Sequence, residues 1–222
     1  MVARDEAKMA HHCLNIEQTY SVKTKIIVCD FTKVVSIADY TRIVANQVIE
    51  LDISMVFLNA GGSPLATIYD LGDDQIQAIT RLNYVHPIYL TKALLPQLTR
   101  RSKRVAVVIT SSVSSKVPMV AFSAYCSSKA GAAQFIEALH EETKQHLDAY
   151  SWDCGVVATK KKPFKVGFRS SPTQAVAGCF KDIGCERRSF GSWKHELEAI
   201  STINLPKWVL KRIMMSRLLK NN

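Results

Sequence analysis

The sequence predicts an α/β fold in which strands and helices alternate and the strands form a parallel, doubly wound sheet. Three apolar and largely β-branched runs have the length of buried strands, at residues 25–29, 53–58 and 105–109. Segments with helical periodicity separate these runs, which produces the alternation. In open sheets of this kind, ligands bind at the carboxyl ends of the strands, so we expect functional side chains where the runs end.

Periodicity or start and stop signals predict four helices outside the candidate site and the basic tail. Apolar residues at helical intervals predict helices at residues 3–20, 37–48 and 71–101. Pro87 either kinks the third of these or is absorbed in its early part. Ser171 followed by Pro172 is a typical helix start and Gly184 a typical stop, which predicts a fourth helix at residues 172–183.

Size and composition indicate a globular chain. It has 222 residues, of which 47% are hydrophobic, enough for one domain or a tight pair. The six cysteines are scattered without a C-x-x-C pair, which indicates reduced thiols, and we expect no metal site. No apolar run approaches the roughly 18 residues of a membrane span, and the first residues lack the apolar core of a signal peptide.

The formal charge of +10 is concentrated in the tail. From Ser151 onward there are 14 Lys and Arg against 5 Asp and Glu, a balance of +9, which leaves +1 for the first 150 residues. A basic tail favours anionic lipid surfaces or phosphorylated substrates. Nucleic acid is the weakest alternative because the chain has no nucleic-acid-binding motif, and we expect none as a partner.

The third strand run leads into the clearest candidate site. Ser111 and Ser112 follow it, and Tyr125 and Lys129 come after a loop, four residues apart on one face of a predicted helix. A cation beside a phenol stabilises the phenolate, so we expect a lowered pKa for Tyr125, which suits proton transfer. A purely structural pair is the alternative.

Polar residues also end the other two runs. Asp30 follows the first run and is a candidate hydrogen-bond acceptor for a base or ribose, or else a cap of a turn. Asn59, Ala60 and Gly61 follow the second run, with Gly62 behind them. Small residues there let a backbone approach a ligand closely, although a tight turn would also explain them.

These motifs resemble the short-chain dehydrogenase/reductase family. The family pattern is a Ser, a Tyr thirteen positions later and a Lys four beyond it, which Ser112, Tyr125 and Lys129 match, and the Asn-Ala-Gly element stands at residues 59–61. The resemblance implies that Asn83 holds a water linking Lys129 to solvent; an Asn without such a role in a helix is the alternative.

Residues 154–159, C-G-V-V-A-T, resemble the family's P-G-x-V-x-T, with Cys154 in place of Pro. The resemblance places Val157 and Thr159 at the nicotinamide carboxamide of the cofactor. The preceding residues 148–153, D-A-Y-S-W-D, are too polar for the central buried strand expected there. Beyond them, Lys160–Lys162, Lys165 and Arg169 form a basic loop that either meets substrate phosphates or is a solvated charge run.

The family's N-terminal glycine-rich turn, T-G-x-x-x-G-x-G, does not occur in this chain. We therefore predict an N-terminally truncated Rossmann-like domain that lacks a strand, a helix and a strand, with Met1 in the helix before the third family strand. In that case residues 25–29 and 53–58 pair directly, or a partner chain or second copy fills the gap. The resemblance implies NADP(H) or NAD(H) as cofactor, and part of its site would lie in the missing segment.

The C-terminal third resembles one branch, the 17-beta-hydroxysteroid dehydrogenases and very-long-chain 3-oxoacyl-CoA reductases. The matching elements are S-P-x-x-A-V from Ser171, R-x-x-G-x-x-x-H from Arg188 and L-P-x-W from Leu205. This resemblance implies reduction of a 3-oxoacyl-CoA or steroid ketone. Tyr125 would protonate the oxygen, Lys129 would lower the Tyr125 pKa and hold the ribose, and Ser112 would bind the substrate oxygen.

Two hypotheses follow for the function. The chain is a reductase, or it is a catalytically inactive paralogue that serves as a structural or interaction subunit. The resemblance implies a location at the surface of the endoplasmic reticulum membrane, and the cytoplasm is the alternative. We divide it into a domain at residues 1–204 and a basic amphipathic helix at residues 205–222, which lies on a membrane surface or packs on its own domain.

Overall fold

The computed structural model describes residues 1–159 and 170–218, and its strands and helices alternate as the sequence predicts. The strands are β1 Val2–Ala3, β2 Ile27–Val28, β3 Met55–Leu58, β4 Val105–Thr110, β5 Leu147–Trp152 and β6 Arg188–Ser189. The helices are α1 Glu6–Tyr20, α2 Ile37–Ile43, α3 Asp73–Thr80, α4 His86–Arg100, α5 Ser123–Thr143, α6 Pro172–Asp182, α7 Trp193–Asn204 and α8 Lys207–Leu218.

All strand pairs are parallel, which confirms the predicted fold class. The larger sheet has the order β3-β4-β5-β6, and β1 and β2 form a second, two-stranded sheet. Strand β4 is buried on both faces, because Val107 belongs to one hydrophobic core and Val108 to another. The first core also includes Ile27 from β2, so both sheets share one interior.

The predicted direct pairing of residues 25–29 with 53–58 is wrong. Strand β2 pairs instead with Val2–Ala3, and the amide of Ile27 donates to the carbonyl of Met1 at 2.9 Å. Within the described part of the chain, β1 and β3 each have a hydrogen-bonded neighbour on one side only. The alternative expectation, that a partner chain fills a gap at these strands, stays a prediction.

The start of the chain also differs from the prediction, because residues 1–3 lie along a strand rather than in a helix. Helix α1 begins at Glu6, where the side chain of Asp5 caps it by accepting a hydrogen bond from the Lys8 amide at 3.0 Å. Its buried side is narrow and consists of Met9 and Cys13, whereas Tyr20 is exposed.

Residues 148–152 lie in a central strand, contrary to the expectation that residues 148–153 are too polar for one. Strand β5 lies between β4 and β6, and its polar atoms are paired. Tyr150 shares a hydrogen bond with the Ser189 hydroxyl at 2.7 Å, and Trp152 donates to the Phe190 carbonyl at 3.2 Å. Buried polar groups are tolerated when they have partners, and here the partners come from β6 and the turn after it.

The predicted helix at residues 71–101 is divided by a wide π-helical turn at Arg81–Val85. Pro87 follows this turn at the start of α4, where the missing amide of proline costs little. At α6 the predicted start is confirmed, since the side chain of Ser171 accepts a hydrogen bond from the Gln174 amide at 3.2 Å. Gly184 lies just beyond this helix at φ 81°, the conformation that favours glycine at a helix end.

The basic loop of Lys160–Lys162, Lys165 and Arg169 lies outside the described residues. Over residues 1–159 and 170–218, no helix has the length and apolar character that crossing a bilayer requires. The proposed boundary between residues 204 and 205 stays a prediction.

Candidate active site

The site lies where β3 and β4 end side by side. The Thr110 hydroxyl, at the end of β4, donates to the side-chain oxygen of Asn59 at 2.6 Å. Ser111 and Ser112 continue from β4, and the Ser111 hydroxyl donates to the carbonyl of Lys129 in α5 at 3.2 Å. These contacts fix the predicted strand-end residues and the predicted helix in one place.

Ser112 and Tyr125 are brought together by the loop that separates them in sequence. The Ser112 side chain lies close enough to the phenol to affect its pKa. Burial raises the pKa of Tyr125, and Ser112 offsets part of that rise. The expectation of a lowered pKa for Tyr125 is therefore wrong in this structure, because burial is the largest influence on the phenol and the influence that opposes it comes from Ser112 rather than from Lys129.

Lys129 is buried, with 3% of its surface exposed. Its amine lies over the Tyr125 ring, 5.8 Å from the centroid, and donates to the Thr110 carbonyl at 2.6 Å. Burial lowers the pKa of Lys129 to about 8. Among the described residues this carbonyl is its one hydrogen-bond acceptor, so the amine keeps two donors for a ligand.

Asn83 lies in the π-helical turn and is fully buried. Its amide group donates to the carbonyls of Gly62 and Ile79, both at 2.8 Å, and its oxygen accepts from the Gly62 amide at 2.9 Å. Asn83 thus ties the loop after β3 to the helix, and both donors of its side chain are used. The water-holding role predicted for it stays a prediction.

Gly61 is required by close packing. A Cβ built on it would lie 2.7 Å from the Lys129 amine and 2.8 Å from the Asn83 side-chain oxygen. Its backbone is not in the left-handed region, so a tight turn does not explain the glycine. Ala60 lies half-buried beside it and packs against the first core.

The remaining cofactor candidates lie at other loops. Asp30 accepts hydrogen bonds from the Thr32 amide at 3.1 Å and the Thr32 hydroxyl at 2.8 Å, as in the capping alternative. Val157 forms a parallel bridge with Ser170, and Thr159 is exposed at the end of the described segment. Contact of Asp30, Val157 or Thr159 with a cofactor stays a prediction.

Two residues that the sequence analysis did not assign hold the loop of Gly155 and Val156. The Val156 amide donates to the Glu198 carboxylate at 3.0 Å. The ring nitrogens of His195 face the carbonyls of Phe190 and Val156, at 3.3 and 3.4 Å. His195 belongs to the quoted R-x-x-G-x-x-x-H element, which was the available signal for it.

Arg188, the first residue of that element, anchors the turn that follows Ser112. Its guanidinium donates to Asp153, Glu137 and the Ser115 hydroxyl, each at 2.7 Å. Asp153 is fully buried, and burial raises its pKa although Arg188 opposes the rise. The network connects β5, α5 and the turn at Val113–Ser115.

The nicotinamide end of a dinucleotide fits these residues. The buried amine of Lys129 has donors left for ribose hydroxyls, and Tyr125 lies beside it. The diphosphate end lacks the glycine-rich turn, since no such cluster occurs in the sequence. Over the described residues, no group of three or more His, Cys, Asp or Glu side chains is placed to hold a metal ion.

The parallel sheet presents a phenol, a hydroxyl and an amine at its ligand-binding edge. This combination of fold and site defines the class of dinucleotide-dependent oxidoreductases. The sequence matches the short chain dehydrogenase family over residues 1–165. This is well over half of the chain, and the chain belongs to that family, whose members bind a nicotinamide dinucleotide.

Relatives and solved structures agree with this assignment. The bovine very-long-chain 3-oxoacyl-CoA reductase is 28% identical over 97% of this chain and 70% of its own length. Hydroxysteroid dehydrogenase-like protein 1 from chicken is 24% identical, over 94% of this chain and 65% of its own. A solved 7beta-hydroxysteroid dehydrogenase covers 96% of this chain and 85% of its own, with a TM-score of 0.82 at 20% identity, which shows the shared fold.

Proposed function

We propose that this protein reduces a carbonyl with a nicotinamide cofactor and that Tyr125 is the proton donor. The observation that carries the proposal is that Tyr125 lies beside both Ser112 and the buried amine of Lys129. A raised pKa keeps the phenol protonated near neutral pH, which suits a general acid.

Each side chain has a distinct role in this proposal. Tyr125 donates its proton to the carbonyl oxygen, and Ser112 holds the same oxygen by a hydrogen bond. Lys129 is charged below its pKa of about 8 and stabilises the phenolate that remains. Asn83 and Gly61 keep the amine in place. A bound nicotinamide supplies the hydride.

The cofactor is NADP(H) or NAD(H), and Lys129 and Tyr125 hold its ribose. Asp30, Asn59, Ala60, Gly61, Val157 and Thr159 complete the proposed cofactor contacts. The substrate is a 3-oxoacyl-CoA or a steroid ketone, a choice supported by the names of the relatives.

A titration with reduced cofactors tests the proposal first. We expect NADPH or NADH to raise the melting temperature of the protein, because a ligand that binds the folded state stabilises it. A second assay follows the absorbance of the reduced cofactor with a 3-oxoacyl-CoA and with a steroid ketone. If neither cofactor binds and neither substrate is consumed, the reductase proposal fails for this chain.

A second candidate is a non-catalytic interaction subunit, favoured by the outer edge of β3, which pairs with no strand among the described residues. The Ala106 amide donates to the Ser54 carbonyl, so alternate residues of β3 face β4. The main-chain groups of Met55 and Phe57 then face away from it, and their side chains are 46% and 45% exposed. Open edges of this kind accept a strand from a partner chain or a second copy. A mass measurement in solution across a range of concentrations tests for self-association.

We also propose that the protein works at the surface of the endoplasmic reticulum membrane. Support comes from the branch resemblance and from α8, in which Lys207, Lys211 and Arg212 are exposed together with Trp208. Flotation with anionic vesicles tests this location, and a protein that stays at the bottom of the gradient would favour the cytoplasmic alternative.

A further inference from the structure

The loop at residues 154–159, which follows β5, is held by side chains of helix α7. Both main-chain groups of Val156 contact this helix. The Val156 amide donates to the Glu198 carboxylate at 3.0 Å, and the Val156 carbonyl faces the outer ring nitrogen of His195, Nε2, at 3.4 Å. His195 and Glu198 are three residues apart and therefore lie on one face of α7.

Gly155 shows how closely the helix approaches this loop. A Cβ built on Gly155 would lie under 3 Å from the Glu198 carboxylate and from the His195 ring. The backbone of Gly155 is outside the left-handed region, so the close approach of the helix, rather than a turn, requires the glycine. Because the carboxylate and the ring both lie within 3 Å of the same point, they are also neighbours in space.

The ring of His195 is fully buried and contacts a carbonyl at each nitrogen. The inner nitrogen, Nδ1, faces the Phe190 carbonyl at 3.3 Å, which also accepts a hydrogen bond from the Trp152 indole at 3.2 Å. The second donor at the Val156 carbonyl is the Ser170 amide, at a longer 3.4 Å. A neutral imidazole donates from one nitrogen only, so a proton on the outer nitrogen, at the less well satisfied carbonyl, contributes more than one on the inner nitrogen.

Helix α7 also contacts the segment that pairs with this loop. Ser192, which caps α7, shares a hydrogen bond with the Ser170 hydroxyl at 2.9 Å. Ser170 pairs in turn with Val157, and its carbonyl accepts from the Ala158 amide at 3.0 Å. Together with the two residues above, Ser192 forms an S-x-x-H-x-x-E pattern along the helix, and all three side chains bind the loop or its pairing partner.

We propose that His195 and Glu198 are positioning residues of the reductase. They fix the main chain of Val156 and thereby set the position of Val157 and Thr159 against the nicotinamide. The inference rests on the proposed function, in which Val157 and Thr159 contact the cofactor. In this role neither His195 nor Glu198 contacts the reacting atoms, so their loss acts on cofactor binding rather than on the chemical step.

Steady-state kinetics of His195→Ala and Glu198→Ala test this role. We expect each variant to raise the KM for the reduced cofactor about tenfold or more, the loss of one or two hydrogen bonds at a buried site. The kcat should change by less than about threefold, because the proton donor is untouched. Glu196→Ala is the matched control, since it removes an exposed carboxylate from the same helix and should leave both constants unchanged. A fall in kcat at unchanged KM would overturn the proposal.

Conservative variants separate a specific contact from the mere filling of space. The amide of His195→Gln reaches the position of the outer ring nitrogen, whereas the amide of His195→Asn reaches only that of the inner one. We expect the KM for the cofactor to be at least about threefold lower for the Gln variant than for the Asn variant. Glu198→Gln keeps an oxygen acceptor for the Val156 amide and should recover most of the affinity lost in Glu198→Ala. Equal KM values for the Gln and Asn variants of His195 would overturn the contact assigned to Val156.

Hydrogen exchange at the Val156 amide separates this inference from the proposed function, because it needs no cofactor. Glu198→Ala should speed exchange at this amide about tenfold or more, whereas Glu196→Ala should not change it. Equal exchange in the two variants would overturn the role of α7 whatever the activity. If exchange depends on Glu198 but the wild type consumes no reduced cofactor, the contact of α7 with the loop stands and the reductase proposal fails.

Discussion

The amine of Lys129 donates a hydrogen bond to the main-chain carbonyl of Thr110 at 2.6 Å, which joins helix α5 to the end of strand β4. The bond holds a charged group inside the protein, where only 3% of the residue is exposed. Lys129 therefore contributes both to the geometry of the candidate site and to the pH dependence of stability.

The stability of the protein should rise relative to a Lys129→Met variant as the pH is raised from about 8 to about 10.5. Burial lowers the folded-state pKa from 10.5 to about 8, so over this range the unfolded chain binds more protons than the folded one. The stability gain is complete above the unfolded-state pKa and is lost as the pH falls through about 8. We expect a relative gain of roughly 1–3 kcal/mol in the free energy of unfolding. Urea unfolding of both proteins at pH 7 and pH 10 measures it, and parallel changes would contradict it.

Replacing Tyr125 by Phe should lower the rate of carbonyl reduction by about 100-fold or more, because the proton donor is lost. The melting temperature should change little, since the ring and its packing remain. Tyr69→Phe is the control, because Tyr69 is 95% exposed. Steady-state assays with reduced cofactor and a 3-oxoacyl-CoA measure the effect, and a Tyr125→Phe enzyme with wild-type turnover would exclude Tyr125 as the acid.

Gly61→Ala should destabilise the protein and lower its activity, whereas Gly62→Ala should do neither. The new Cβ at residue 61 would meet the Lys129 amine and the Asn83 side-chain oxygen at under 3 Å, whereas one at residue 62 meets nothing within 4 Å. Neither atom can move without breaking a buried hydrogen bond, so we expect a cost of about 1–3 kcal/mol. Chemical unfolding of the two variants provides the comparison. Equal stabilities would show that the packing around Gly61 yields easily.

Arg188→Met should cost about 3–5 kcal/mol of stability, because it leaves the fully buried carboxylate of Asp153 without its partner. The double variant Arg188→Met/Asp153→Asn should recover part of the loss, since the uncompensated charge is gone. Arg187→Met removes a neighbouring arginine whose side chain is 62% exposed, and its effect should stay below about 1 kcal/mol. Equal losses for the two single variants would contradict the role assigned to Arg188.

Hydrogen exchange should be much faster at the amides of Met55 and Phe57 than at those of Val56 and Leu58. The first two face the open edge of β3, whereas the other two face β4. Residue-resolved exchange measured by NMR at low protein concentration tests this. Slowing of the Met55 and Phe57 amides as the concentration rises would support a second copy at this edge, and equally slow exchange of all four amides at low concentration would show the edge already covered.

Local sequence was sufficient to predict which side chains lie together at the end of β4. A strand run that ends in Ser112, with Tyr125 and Lys129 four apart on the following helix, produces this placement whenever the run is a parallel strand. The prediction that residues 148–153 are too polar for a buried strand failed because it depends on residues that are distant in the sequence. Whether Tyr150 and Asp153 can be buried depends on Ser189 and Arg188, which lie more than thirty residues away, and no local pattern reveals such partners.

By itself, the sequence determined the alternation of strands and helices, the family and the residues at the strand ends, because periodicity and motif spacing are properties of neighbouring residues. Only the tertiary structure decided that Val2–Ala3 pairs with Ile27–Val28, that Tyr125 has a raised pKa, and that two side chains of α7 meet the main chain of Val156. Strand pairing, burial and the convergence of side chains on a loop depend on which distant segments come into contact, and those contacts are made only when the chain folds.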